Sequence, residues 1–310
     1  MKNKLVTLIG GGGFLGRYVA QALMKSGARV RIAQRDPRQA YFLRTQGGLG
    51  QTQFAGVDMA RPDTIRRAVE GSDAVVNLVG TFAAGQMQAL HVDGARAVAE
   101  AATQAGLDAL VHVSAIGADP AGPSRYALTK AQGEAAVREA FPRATILRPS
   151  VVFGQEDQFL NRFARMIETL PVVPVLRGAA RFQPVYVGDV ADAAVAALRS
   201  PDRFGATTFE LGGPDVVTMI GLQRWIAARI DRKPWFLDLP DAAGAILSKL
   251  PGSPIGADQW LMLQRDTVVT GDHGLAELGI EPTTMAAVAP SYLVRYHKAG
   301  RFGVRAAIEA

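Results

Sequence analysis

Tyr126 and Lys130 stand four residues apart, a spacing that sets two side chains one above the other on a helix face. An ammonium beside a phenol favours the phenolate and lowers the tyrosine pKa, so the pair reads as a proton donor or acceptor usable near neutrality. Ser114, closing the apolar run at 110–113, is a third candidate for the same chemistry. A different chemistry is written at the amino end. Gly10, Gly13 and Gly16 follow an apolar, β-branched run at residues 5–9 and open a helix-favouring stretch at 14–24. The first glycine lets the chain turn off a strand, the second leaves room for a ligand to touch backbone, and the third lets a helix pack closely. Such a turn, with Gly12, Phe14 and Leu15 completing it, presents amide N–H groups and a positive helix end to a pyrophosphate. No Gly-Lys-Ser/Thr follows, which argues against a P-loop.

Elements must exist to bring these groups together. An alternating run at 29–34 and strand-like runs at 53–57, 74–79, 110–113 and 145–147 alternate with helical stretches at 37–45, 61–70 and 87–105, and with one carrying Tyr126 and Lys130. This cadence predicts an α/β fold, a Rossmann-type doubly wound parallel sheet with right-handed crossovers and ligands beyond the carboxyl ends of its strands. The expected nucleotide-binding domain spans residues 1–155, with later elements near 183–200 returning to it. Residues 156–310 are expected to form a smaller α/β subdomain on the substrate or partner side.

Within that frame Arg35, at the tip of the second strand, favours a 2′-phosphate and hence NADP(H) over NAD(H), with Arg38 a possible second contact. The plainer alternative is a solvated arginine, and Asp36 beside it can still reach a ribose. Asp58, followed by Met59, stands where a carboxylate can accept the adenine amino group or cap a helix. Val79, Gly80 and Thr81 lie beside the expected cofactor path, and Pro149, Val151 and Val152 run past the nicotinamide. Lys130 can also hold the nicotinamide ribose.

Beyond residue 155 a helix is expected at 158–170, an irregular proline-rich segment at 171–178, and a strand at 183–187. A helix at 190–200 follows, capped by Asp189, and then a strand at 209–211 and a helix at 219–230. Residues 235–237 and 242–250 read as lid elements or a docking surface. Residues 292–301 read as a basic amphipathic terminal helix.

The 310 residues suffice for a full core, and with 48% hydrophobic and 20% charged residues the chain is not disordered by composition. It has no cysteine, which excludes disulfides, thiolate metal sites and a cysteine nucleophile. No metal is expected, because His91, His112, His273 and His297 show no ligand spacing. No run reaches 18 apolar residues, so no transmembrane segment is expected, and the start does not read as a signal peptide. A net charge of +6, scattered rather than in basic runs with aromatics, argues against nucleic acid and suits an anionic cofactor or an acidic protein or lipid surface.

The glycine turn, Asn77-Leu78-Val79-Gly80 and Tyr126-x-x-x-Lys130 resemble the short-chain dehydrogenase/reductase superfamily. His91-Val92-Asp93-Gly94 and Leu147 to Gly154 narrow the resemblance to its extended, epimerase/dehydratase-like branch. The motifs from Ser124 to Glu134, Phe141-Pro142, Phe153 to Asp157 with Phe159-Leu160-Asn161, and Gln183 to Val190 are similar to an atypical group, the NADPH-binding accessory subunit of respiratory complex I and its bacterial relatives. The specific motifs cover about the first 215 residues.

The resemblance implies three readings. One is an NADP(H)-stabilised accessory piece of a respiratory or quinone-pathway membrane assembly, cytoplasmic and peripheral at the inner face of the membrane, with weak or no turnover. The second is an active reductase, epimerase or dehydratase using Tyr126 and Lys130, and the third a sensor of the NADPH ratio. One departure bears on all of them. The extended branch places a hydroxyl where this chain has Ala115, leaving a water, Thr81, Ser124 or Ser150 to compensate.

Overall fold

A computed structural model describes residues 1–249 and 255–298. The chain divides into two compact units, the first built from Met1–Pro149, Val187–Leu211 and Val269–Glu281, the second from Ser150–Tyr186, Gly212–Val268 and Pro282–Ala310.

The first unit alternates β1 (Leu5–Ile9), α1 (Phe14–Lys25), β2 (Arg29–Gln34), β3 (Thr52–Gly56), α2 (Pro62–Val69), β4 (Ala74–Asn77), α3 (Gly94–Gln104), β5 (Ala109–Val113), α4 (Arg125–Ala140) and β6 (Thr145–Pro149). The sheet runs β3, β2, β1, β4, β5, β6 and then strand Thr208–Leu211, and every pairing in it is parallel. Every residue of β1, β4 and β5 is buried, as in parallel strands covered on both faces. Helix α1 packs against helix Val187–Arg199, while α2, α3 and α4 enclose a second core layer with Ile9, Val75, Leu110 and Ile146. The returning stretch Val269–Glu281 is fastened by Glu210, whose Oε2 accepts the Thr270 and Gly271 amides at 2.8 and 3.0 Å.

The order of the strands reverses at β1, with β2 and β3 laid on one side of it and β4, β5 and β6 on the other, and Ile9 stands in register with Ala33 and Asn77. The turns after β1, β2 and β4 therefore leave the sheet at one edge, the place where such sheets bind ligands.

Three expectations change. The helix expected at 87–105 is a π-helical turn, Gln88–Asp93, followed by α3, because the chain there must pass close to α4. Helix Val187–Arg199 begins before Asp189, which sits buried in its first turn rather than capping it. The segment at 171–178, expected to be irregular, contains strand Val172–Leu176, paired parallel with Trp235–Leu239. Pro174 is tolerated because it lies on the exposed face of a two-stranded ribbon while Val173 and Val175 face inward.

In the second unit Phe153, Leu160, Ile167, Leu222, Ile226 and Leu293 form a core between helices Leu160–Thr169, Met219–Arg229 and Met285–Leu293. Buried Asp157 accepts from the Gly154 amide at 3.0 Å and the Tyr292 hydroxyl at 3.1 Å, tying helix Met285–Leu293 to the loop before Leu160. Residue 250 of the expected apolar stretch and residues 299–301 of the expected terminal helix lie outside the described residues.

Candidate functional site

The turn after β1 is shaped by backbone alone. Gly10 adopts φ +84°, which an L side chain resists, and its N–H donates to the Ala33 carbonyl at 2.8 Å. A Cβ on Gly16 would lie 2.5 Å from the Gly11 oxygen and 2.7 Å from the Gly10 oxygen, so the third glycine seats α1 on the turn itself. Gly13 meets only the Gly10 oxygen, at 3.3 Å, and leaves its other side open, whereas Gly12 faces Gln34 and Ala40. Helix α1 starts at Phe14 with no side-chain cap and no acidic residue in its first turn. The Gly11 and Gly13 amides donate to the Leu8 and Gly10 carbonyls at 3.3 and 3.1 Å, which leaves the amides of Gly12, Phe14 and Leu15 to meet the requirements of an anion cradle.

At the tip of β2, Asp36 caps the 3₁₀ run Pro37–Gln46 by accepting the Arg38 amide at 3.1 Å. The Arg38 guanidinium grips the same carboxylate from two nitrogens, at 2.9 and 3.2 Å, and holds its pKa below the usual carboxylate value. Arg35 is exposed, with no ion-pair or hydrogen-bond partner among the described residues. Asp58 is half-buried and accepts the Ala60 amide at 3.0 Å, a local turn contact. Met59 is buried against Gly94, where a Cβ would lie 2.7 Å from its Cε, and so serves packing.

After β4, the buried Asn77 accepts the Val79 amide at 3.2 Å, and Val79 packs over Gly10. The Thr81 amide donates to Nε2 of His91 at 3.0 Å. Ser114 is buried, and its hydroxyl has no partner among the described residues.

Helix α4 is capped by Ser124, whose Oγ accepts the Ala127 amide at 3.2 Å. Lys130 is buried, and its Nζ donates to the Val113 carbonyl at 2.8 Å; burial pulls its pKa down to about 8. Tyr126 stacks on Phe82 and stands perpendicular to the ring of His91. Its ring keeps some exposure, yet desolvation pushes its hydroxyl up to about 12. That reverses the expected direction, because the lysine ammonium is committed to a carbonyl and burial outweighs it. Tyr126 is therefore protonated across the neutral range.

Of the hydroxyls that were candidates to stand in for Ala115, Ser124 accepts its cap amide, a bond that does not use its own hydrogen, whereas Ser150 donates to the Thr267 carbonyl at 2.9 Å within the second unit. Thr81 Oγ1 accepts the Ala83 amide at 3.0 Å. Pro149 ends β6 in the first unit, whereas Val151 and Val152 belong to the second. His91, Phe82 and Thr129 are additional site residues that spacing did not reveal. His91 and Thr129 meet across separate elements, and no periodicity marks Phe82. Among the described residues no group of three or more His, Asp or Glu is placed to hold a metal ion.

A model of the NAD dependent epimerase/dehydratase family matches residues 6–212. The chain is 36% identical over 295 residues to the mouse (Mus musculus) mitochondrial protein NADH dehydrogenase [ubiquinone] 1 alpha subcomplex subunit 9, covering 91% of this chain and 77% of the relative. It is 31% identical over 261 residues to a ceramide reductase of Caulobacter vibrioides, covering 81% of this chain and 80% of that one. A solved NADPH-dependent quinone oxidoreductase from Escherichia coli, complexed with NADPH, shares the fold with a TM-score of 0.75 at 22% identity, over 93% of this chain and 99% of that one.

Proposed function

We propose, from the premise that this chain belongs to the NAD dependent epimerase/dehydratase family, that it binds NADP(H) along the carboxyl ends of β1, β2 and β4. In this reading it serves chiefly as an accessory, nucleotide-stabilised component of a respiratory or quinone-linked membrane assembly, with little turnover of its own. The observation that carries the nucleotide preference is the pair formed by Asp36 and Arg38. It occupies the one carboxylate that would suit a ribose diol and leaves Arg35 as the open cation, which suits a 2′-phosphate.

The amides of Gly12, Phe14 and Leu15 would hold the pyrophosphate, Lys130 the nicotinamide ribose, and Val79, Gly80 and Thr81 the wall between them. Asp58 would receive the adenine amino group on the carboxylate oxygen that Ala60 does not use. Little turnover is supported by Ala115 and by the Ser150 hydroxyl being committed to the Thr267 carbonyl, since losing one such hydrogen-bonding group typically slows catalysis by about two to three orders of magnitude. The accessory role is supported by similarity to the murine subunit over most of this chain. A peripheral place at the inner face of a membrane follows from that role, and among the described residues no helix is long and apolar enough to cross a bilayer.

A second reading, an active carbonyl reductase, is favoured by the protonated state of Tyr126 and by similarity to the ceramide reductase. Bound NADPH would supply the hydride. Tyr126 would give its proton to the oxygen of the reduced carbonyl.

Native mass spectrometry of the purified protein, with thermal melting in added NADPH and NADH, tests the main reading. Co-purification of NADPH, and a larger melting shift with NADPH, are expected. No shift with either nucleotide at millimolar concentration overturns it. NADPH turnover that disappears in Tyr126→Phe establishes the second reading in its place.

A further inference from the structure

Tyr126 is held between two rings carried by other parts of the first unit. Phe82 lies flat on it, with centroids 4.6 Å apart and planes at 15°, and His91 stands perpendicular to it at 5.4 Å and 88°. Phe82 is itself 55% exposed, on the loop that follows β4. An exposed side chain on a loop keeps a single position only if something repays the freedom it gives up. Here the loop is tied by hydrogen bonds.

The tie runs through His91. Its Nε2 accepts the Thr81 amide at 3.0 Å and so carries no proton. The ring proton must then sit on Nδ1, 2.9 Å from Thr129 Oγ1, whose own hydrogen can go to the Arg125 carbonyl at 2.8 Å. One neutral tautomer satisfies every bond. Burial, together with the nearby charge of Lys130, keeps the imidazole neutral by lowering its pKa to about 4. Thr81 Oγ1 accepts the Ala83 amide and bends the chain at Phe82. His91 reaches this position because the π-helical turn Gln88–Asp93 presses it onto α4 at Gly133, where a Cβ would lie 2.1 Å from the His91 oxygen. The same helix carries Tyr126, Thr129 and the glycine that admits His91.

We infer that His91 is a positioning residue, fastening the loop at residues 80–83 to α4 so that Phe82 covers the ring of Tyr126 and limits its access to solvent. Its catalytic meaning rests on Tyr126 meeting a substrate, as proposed above. The fastening itself requires neither nucleotide nor substrate.

Nitration of the full-length protein by tetranitromethane at pH 8, without nucleotide and read at Tyr126 by peptide mass mapping, tests the fastening. Phe82→Ala uncovers the ring and is expected to speed Tyr126 nitration about fivefold, the population change expected when a contact worth one ordinary hydrogen bond is removed. His91→Phe keeps a ring but loses both hydrogen bonds, and is expected to do the same. His91→Gln can accept from Thr81 and donate to Thr129, and should return the rate to within about twofold of wild type. Thr129→Val removes the Nδ1 partner, together with its own bond to the Arg125 carbonyl, but keeps the Thr81 bond, and should give an intermediate rate, which decides the matter should His91→Phe not fold. Unchanged nitration of the other tyrosines separates local release from unfolding. Wild-type rates in His91→Phe and Thr129→Val, beside a faster Phe82→Ala, overturn the fastening, and so does a wild-type rate in Phe82→Ala. A protein that binds no nucleotide still gives a decisive nitration pattern, so failure of the proposed function and failure of the fastening are distinguishable.

Discussion

Nucleotide preference is the sharpest consequence of the β2 tip, because two substitutions there act by different routes. Arg35 is open to solvent, while Arg38 is locked onto Asp36 by two hydrogen bonds. On the proposed reading, Arg35→Ser removes one charge-assisted contact to a 2′-phosphate. Solvent exposure places that contact at the weak end of its class, so NADPH affinity should fall about tenfold while NADH affinity holds. Arg38→Ser touches no nucleotide in this scheme. It frees the Asp36 carboxylate to repel the phosphate and to accept from a ribose diol, which should lower the NADPH to NADH affinity ratio about fivefold by acting on both nucleotides. Calorimetric titration with each nucleotide measures both effects. Their shrinkage at about 1 M salt, where the screening length is only about 3 Å, shows them to be electrostatic. Equal weakening of both nucleotides by Arg35→Ser, or an unchanged ratio in Arg38→Ser, refutes the reasoning.

Gly133→Ala should be far costlier than an ordinary helix substitution, because its methyl carbon would lie 2.1 Å from a backbone oxygen of the π-helical turn. A loss of about 3 kcal/mol, read as a melting point lower by about 6 to 12 °C, is expected, whereas Gly85→Ala, with nothing within 4 Å of its added carbon, should melt like wild type. Lys130 gives a pH signature. Its pKa falls from 10.5 unfolded to about 8 folded, so between those values the unfolded chain binds more protons and stability rises with pH. The whole rise is worth about 3 kcal/mol, and its disappearance in Lys130→Met, followed by urea unfolding from pH 7 to 10.5, checks the sign.

Much of the first unit was legible because its signals are local. The run from Leu5 to Ile9, the glycines after it and the repeated alternation each follow from a few neighbouring residues, and the seven-stranded sheet agrees with them. What was hidden depends on partners far away in the chain. The π-helical turn at His91 exists because Gly133 leaves room for it and because Thr81 and Thr129 bracket the imidazole, and no window of sequence contains all four residues. The direction of the Tyr126 pKa was misjudged for a similar reason. Spacing brought Lys130 near on the helix, but the Val113 carbonyl that claims its ammonium belongs to another strand. Strand Val172–Leu176 was missed because only pairing with Trp235–Leu239 overrides its proline.

The threefold passage of the chain through the first unit constrains its synthesis. A ribosome that has released residues up to Pro149 has supplied six strands, but α1 still lacks the helix Val187–Arg199 that covers it and β6 still lacks its outer neighbour. Such a half-built sheet exposes a bare edge and an apolar flank, the features by which nascent chains aggregate. Completion waits for Glu210 to meet the amides of Thr270 and Gly271, so a truncation anywhere between 150 and 268 leaves the nucleotide-binding half unfinished and dependent on chaperones.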